Sequence, residues 1–470
     1  MLNQKVQILS TLRYALAAGV SAAALTAMAS APALAADCSG ATNTLTGTNA
    51  GKTNGTGGLG GSSSLNCTGN TVDGAEALRN NGNSSLLPLT SGTAVLTNNT
   101  VVGNSASGNG VGGLSGNATL TNNNVQGTDS LSLNGTSLTD GNANISNNNV
   151  QGNNSLSSNG LLGGNATISN NTVLGNNSGS LNGAGQTVTV SGNRIVGDNS
   201  GSGNGNNVQN NTIIGNGSGS LNLVGPVTGN KIIGDLSGSG NLGSVTGNTI
   251  IGDGSGGLNQ TGFADNTIIG NTSAIGNGAN YSNNLVVGNL SGSGNGQNFQ
   301  NNKIIGTGSG NLSGDNVQNN TIIGDASGNG YANGSTYNTV LGNFSGNGVN
   351  GSGNLAVGVF SGNSVTGNSN KAVGNASGNF VTGSFNTTLG DISGNFVTGD
   401  RNLATGFITG NGVTGSDNSA SGTGSGNLVR GDRNAASGFI TGNLVDGSDN
   451  SASGTGSGNL VRGDRNAASG

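Results

Sequence analysis

Along most of the chain one short unit recurs: an Asn, a variable residue, an aliphatic residue, a second variable residue and a Gly. Glycines that close this unit include Gly47, Gly74, Gly103, Gly197, Gly215, Gly234, Gly252, Gly342, Gly358 and Gly470, each with an Asn four residues earlier. Successive closing glycines lie 27, 29, 24, 25, 23 and 22 residues apart, then 18 with a single 19, and 16 from Gly342 onward. The segment inside the unit, such as Thr212-Ile213-Ile214, is β-branched and bounded by turn residues, which predicts a short strand. Gly takes φ > 0 without a Cβ clash and Asn tolerates the same region, so the chain can turn a corner at each unit. A register held at so short a period predicts an all-β parallel β-solenoid. Strands one coil apart become neighbours at ~4.8 Å, and stacked Asn side chains form an amide ladder along the axis.

Neighbouring residues of a strand face opposite sides, so each coil contributes one inner and one outer residue. The inner row, two residues before the closing Gly, runs from Leu45 and Val72 through Ile213 and Ile250 to Val340, then becomes Ala356, Ala372, Thr388 and Ala404. A second inner row lies seven before the Gly in the 18-residue coils (Val208, Val227, Val245, Phe263, Tyr281, Phe299, Val317). In the 16-residue coils the matching aliphatic lies nine before (Val349, Val365, Val381), which reads as two residues added between the strands and four lost from the other turn. Smaller inner residues where the coil shortens fit a close-packed interior. The coil lengths divide the chain into 1–35, then 36–197 with coils of about 22–29 residues and an N-terminal cap, 198–342 with 18, and 343–470 with 16.

The row one residue before the Gly is aliphatic for thirteen coils, from Leu174 to Leu389, and includes Ile214, Ile233, Ile251, Ile269, Val287, Ile305 and Ile323. Facing away from the core, it predicts an apolar stripe ~60 Å long at ~4.8 Å per coil, and a stripe of that length marks an interface. Lateral homo-association follows as an expectation; a covering loop or a corner turning both rows inward is the alternative. Near the end, one position reads Arg401, Asp417, Arg433, Asp449, Arg465, and another Arg430, Asp446, Arg462. One coil per 16 residues stacks each charge on its opposite, where identical coils would stack like charges. A 32-residue duplication that merely copied its residues is the other account.

Composition narrows the function classes. The chain has 95 Gly among 470 residues, 7% charged residues, no His and a net charge of −5. Nucleic acid requires a basic footprint that is missing here. Without His, and with carboxylates such as Asp235, Asp253, Asp325 and Asp391 scattered singly after corner glycines, no catalytic constellation forms, and no cofactor is expected. The same carboxylates recur too irregularly for calcium-binding turns. Lys5 and Arg13, the apolar run from Tyr14 to about Met28, and Ala33-Leu34-Ala35 read as a signal peptide, with the mature chain starting near Ala36. In an exported protein Cys38 and Cys67, at similar places in adjacent coils, are expected to form a disulfide; two free thiols are the alternative. A stop in register at Gly470 leads to the expectation that the natural product continues into further coils, a stalk or an anchor.

The stretch SGNFVTGDRNLATGFITGNGVTGSDNSASG, residues 393–422, with its N-x-A-x-G and G-N-x-V-x-G units, resembles the head repeats of YadA-like trimeric autotransporter adhesins, best from Asn354 to Gly470. Residues 99–197 resemble generic parallel β-helix coils. The first resemblance implies a β-roll, a homotrimer, a place on the cell surface or outer membrane, and attachment to host or environmental surfaces. No heptad stalk or membrane-barrel segment is visible within the chain. An ice-binding face, from the row Thr212, Lys231, Thr249, Thr267, Leu285, Lys303, Thr321 and Thr339, and a purely structural filament or surface layer are the rival readings.

Overall fold

The computed structural model describes residues 166–179, 188–222 and 224–470, and before them the backbone of short strands between Thr44 and Gln151. Among the described residues there is strand, turn and bend but no helix. Two parallel sheets run along the molecule, one of 23 strands and one of ten. The pairing follows the glycine spacing: Thr172 opposes Arg194, Thr212 opposes Lys231, and Thr339 opposes Leu355. Each step is one coil, so the 23-stranded sheet extends over roughly 100 Å at ~4.8 Å per strand. The fold is a parallel β-solenoid.

Three devices keep the coils in register. Inner aliphatic residues such as Ile213, Ile232 and Ile250 are fully buried. The Asn of the repeat builds the second device. Asn230 donates both its backbone N–H and its Nδ2 to Asn211 Oδ1 at 3.0 Å, and the same Nδ2 donates to the carbonyl of Val245 at 2.6 Å. The amide thus ties its own coil to the coils on both sides. A third column, three residues after the corner glycines from Gly175 to Gly438, is buried Ser or Thr: Ser309 Oγ donates to Gly324 O at 2.5 Å and accepts from the Ser327 N–H at 3.2 Å. These bonds satisfy the backbone groups that every buried corner would otherwise leave unpaired. The corner Gly is required twice over. Gly252 has φ +134°, and a Cβ there would run into the carbonyl oxygen of Gly270 in the next coil.

The change of coil length corrects one part of the sequence reading. Val349 does not continue the row that ends at Val317. The Gly314 N–H donates to Tyr331 O, the Ala332 N–H to Val349 O, and the Asn350 N–H to Val365 O, which stacks Val349 on Tyr331 and Val365 on Val349. Below Tyr331 the same column is Ser313 and Asn295, both buried. The row of Val317 instead passes to Ser335 and then to Gly351, whose carbonyl accepts Asn338 Nδ2 at 3.0 Å. Both Tyr331 and Val349 stand seven residues after their corner Gly. A single two-residue deletion downstream of that point accounts for the shorter coil; counting back from the following Gly misplaced it. The inner space then holds two apolar rows, Ala356-type and Val349-type, where the longer coil held Ile, a Val or aromatic row, and an Asn column.

Residues 1–35, and with them the signal-peptide expectation, lie outside the described residues, as do Cys38 and the side chain of Cys67. The chain beyond 188 carries the longest uninterrupted part of the outer sheet face, and the site is sought there.

Candidate functional site

A Thr-Ile-Ile strand alternates out, in, out. In Thr249–Ile251 the middle Ile250 is buried while Thr249 and Ile251 are partly exposed. Coil after coil, the 23-stranded sheet therefore presents two outward rows. One is Thr212, Lys231, Thr249, Thr267, Leu285, Lys303, Thr321 and Thr339, of which both lysines are exposed. The other is the aliphatic row: Ile214, Ile233, Ile251, Val287, Ile305 and Ile323 are half-buried, and Ile269 is 41% exposed. Each stands in register with the row's residues one coil above and below and is partly open to solvent.

Bulky apolar residues line the turns as well, where the sequence reading had not placed them. Two residues after the corner Gly stand Leu236, Leu290, Phe344, Phe360, Ile392, Ile408 and Ile440; all are exposed and all have φ between 52° and 57°. Six residues after it stand Leu258, Leu312, Phe380, Phe396, Leu428 and Leu444, in the same left-handed region. Phe344 stacks on Phe360, and Phe380 on Phe396, with centroids 5.0 Å apart in each pair. A Cβ in that region costs about 1–2 kcal/mol, which is why Gly and Asn are the expected occupants. The signal that marks these positions is the alternation, within one column, of Gly in some coils with Leu, Ile or Phe in others.

The charged column is stacked one coil per 16 residues. Arg401 binds Asp417 through Nε at 2.6 Å and Nη2 at 2.8 Å, and Arg433 binds Asp449 through Nε at 2.6 Å and Nη2 at 3.0 Å. The hydrogen bonds from Arg401 and Arg433 hold the Asp417 and Asp449 carboxyls below the ordinary value of 3.8. Asp417 also feels the charge of Arg433, and Asp449 that of Arg465, but the bidentate contacts group the coils in twos. In the second column the backbones of Arg430, Asp446 and Arg462 pair directly.

The single carboxylates have structural partners. Asp235 Oδ1 accepts the backbone N–H of Asn216 at 2.7 Å, Asp325 that of Thr307 at 2.8 Å, and Asp391 that of Asn375 at 2.7 Å. Asp253 likewise accepts the N–H of Asp235 at 2.9 Å. Each caps an amide of the preceding coil from the solvent side, and the structure does not gather them. Among the described residues no group of three or more His, Cys, Asp or Glu is placed to hold one metal ion. Inside the 16-residue coils, the space lined by Ala404, Val413 and Ala420 amounts to about 20 Å³, room for one water rather than a ligand.

What the fold and this face define is a repeat protein of the parallel β-solenoid class. No protein-family model, curated protein or solved structure matches the chain.

Proposed function

We propose that this chain is an exported, adhesin-like β-solenoid that works by surface contact, and that its outer sheet face joins it to further copies of itself. The observation that carries the reading is the unbroken aliphatic row on that face, flanked by Leu, Ile and Phe held outward at turn positions that disfavour them. Long exposed apolar stripes on folded proteins are contact surfaces, and side chains kept in a costly backbone region point to a use. The resemblance of residues 354–470 to adhesin head repeats supports attachment as that use, and implies a threefold assembly at the cell surface. In this reading catalysis has no part, and the carboxylates act as amide caps.

The experiment is display of the full chain on a bacterial surface, compared with a chain carrying Ile251→Thr, Val287→Thr and Ile305→Thr. This outward row carries polar residues in other coils of the same sheet, such as Thr405 and Ser421. Equal display with attachment reduced several-fold supports the reading, and unchanged attachment contradicts it. The outward row containing Thr249, Thr267 and Thr321 favours ice binding as a second reading. Thermal hysteresis by the purified chain would establish that reading, and freezing without hysteresis would remove it.

A further inference from the structure

The last four complete coils differ from the rest in having a two-coil rhythm. Their strands are Leu403–Phe407, Ser419–Thr423, Ala435–Phe439 and Ser451–Thr455, and the four pair in parallel, in order. From the strand to the turn that follows its corner Gly, the first coil exposes Arg401, Leu403, Phe407 and Ile408, and the third exposes Arg433, Ala435, Phe439 and Ile440. The second coil shows Asp417, Ser419, Thr423 and Gly424, and the fourth Asp449, Ser451, Thr455 and Gly456. Phe407 and Phe439 are 49% and 52% exposed, and Ile408 and Ile440 are 39% and 47%. The face thus carries positive, bulky coils alternating with negative, small ones.

We infer that this face pairs with the same face of a second copy, in antiparallel orientation, about a twofold axis that runs parallel to the strands between Ser419–Thr423 and Ala435–Phe439. Such an axis reverses the order of the coils and keeps each column opposite itself. Four alternating coils read backwards are their own complement. Arg401 then lies opposite the partner's Asp449, and Arg433 opposite the partner's Asp417. Phe407 and Ile408 sit over the partner's Thr455 and Gly456, and Phe439 and Ile440 over the partner's Thr423 and Gly424. Charge and size are satisfied by the same register. A threefold assembly joins two different faces of neighbouring copies and makes no use of this self-complementarity. A closed twofold contact is also isologous and stops at two copies. The overlap, four strands of about five residues, covers roughly 300 Å² per copy by strand dimensions. That is below the standard interface, so the pairing is weak and reversible. The inference rests on the reading that the outer sheet face joins copies of this chain, and it assigns a symmetry to the coils beyond Leu389, where the aliphatic row has given way to Thr405, Ser421, Ser437 and Ser453.

The test mixes full-length chains carrying Thr405→Cys with chains carrying Ser453→Cys and treats them with a short bis-maleimide; unsubstituted chain controls for Cys38 and Cys67. Antiparallel pairing places these two positions opposite each other, whereas two Thr405→Cys chains are held three coils apart. The expected result is cross-linking between the unlike chains at least tenfold above that within either single variant. Cross-links between like positions would overturn the antiparallel assignment while leaving self-association standing. No cross-link together with a monomeric wild type would overturn both. A second variant fills the gaps: Thr423→Phe, Gly424→Ile, Thr455→Phe and Gly456→Ile, the residues that already occupy these columns in the alternate coils. It makes the face more apolar, yet the unlike cross-link should fall at least tenfold. A rise would show general stickiness and overturn the inference.

Discussion

Tyr281 shows what the narrow interior asks of a single residue. It lies fully buried between Phe263 and Phe299, with ring centroids 5.7 and 5.3 Å away, and its hydroxyl has no hydrogen-bond partner. Burial pushes the phenol far above its ordinary range and keeps it neutral at ordinary pH. An unpaired buried hydroxyl costs stability that a ring without it does not. Tyr281→Phe is therefore expected to stabilise the chain by about 1 kcal/mol in chemical denaturation. Asn302 is the opposite case. Its N–H donates to Asn284 Oδ1 at 2.9 Å, its Nδ2 donates to Val317 O at 2.9 Å, and its Oδ1 accepts the N–H and Nδ2 of Asn320, both at 3.0 Å. Asn302→Asp keeps the shape, removes both Nδ2 donors and sets a carboxylate against two acceptor oxygens. The expected loss at neutral pH is about 3 kcal/mol. Burial raises the folded-state pKa of that new carboxyl, so the variant's deficit should shrink as the pH is lowered toward the ordinary carboxylate range.

At the level of the coil, the bidentate ion pairs divide the charged column unequally. Arg433 and Asp449 share two hydrogen bonds, while Asp417 and Arg433 interact through charge alone. A double-mutant cycle on Arg433 and Asp449 is expected to show coupling that clearly exceeds a cycle on Asp417 and Arg433. Because Asp449 titrates below 3.8, its ordinary value, when folded, the pair's contribution is complete above that pH and is lost as the pH falls below it. Thermal denaturation of wild type and Asp449→Asn across that range reads this directly: the two curves should converge in acid and separate above it. Both cycles giving simple additivity would mean that these exposed pairs contribute nothing to holding the coils together.

For the whole molecule, the spacing of Asn-x-φ-x-Gly units predicted every strand pairing in the long sheet, from Thr44 opposite Thr71 to Ala452 opposite Ala468. Spacing could do this because a corner Gly has no substitute where the next coil's carbonyl passes against it, as at Gly252. The alternation of strand residues likewise placed the aliphatic row of Ile214 to Ile323 on the outside. Two things were not legible. The second inner row was misjoined at Val349 because similar aliphatic residues fill different columns on either side of the deletion, and only the stacking on Tyr331 separates them. The exposed Leu and Phe of the turns, Leu258 and Phe396 among them, were missed because local preference assigns left-handed positions to Gly and Asn. Chemistry of a contact surface overrode that preference there. The central claim is that the outward row is such a surface. Sedimentation equilibrium of the full chain at micromolar concentration tests it most directly. The account predicts a weight-average mass well above the 45.0 kDa of one chain, reduced toward it by Ile251→Thr, Val287→Thr and Ile305→Thr. A wild type that sediments as a monomer, or a variant that associates as strongly as the wild type, would contradict it.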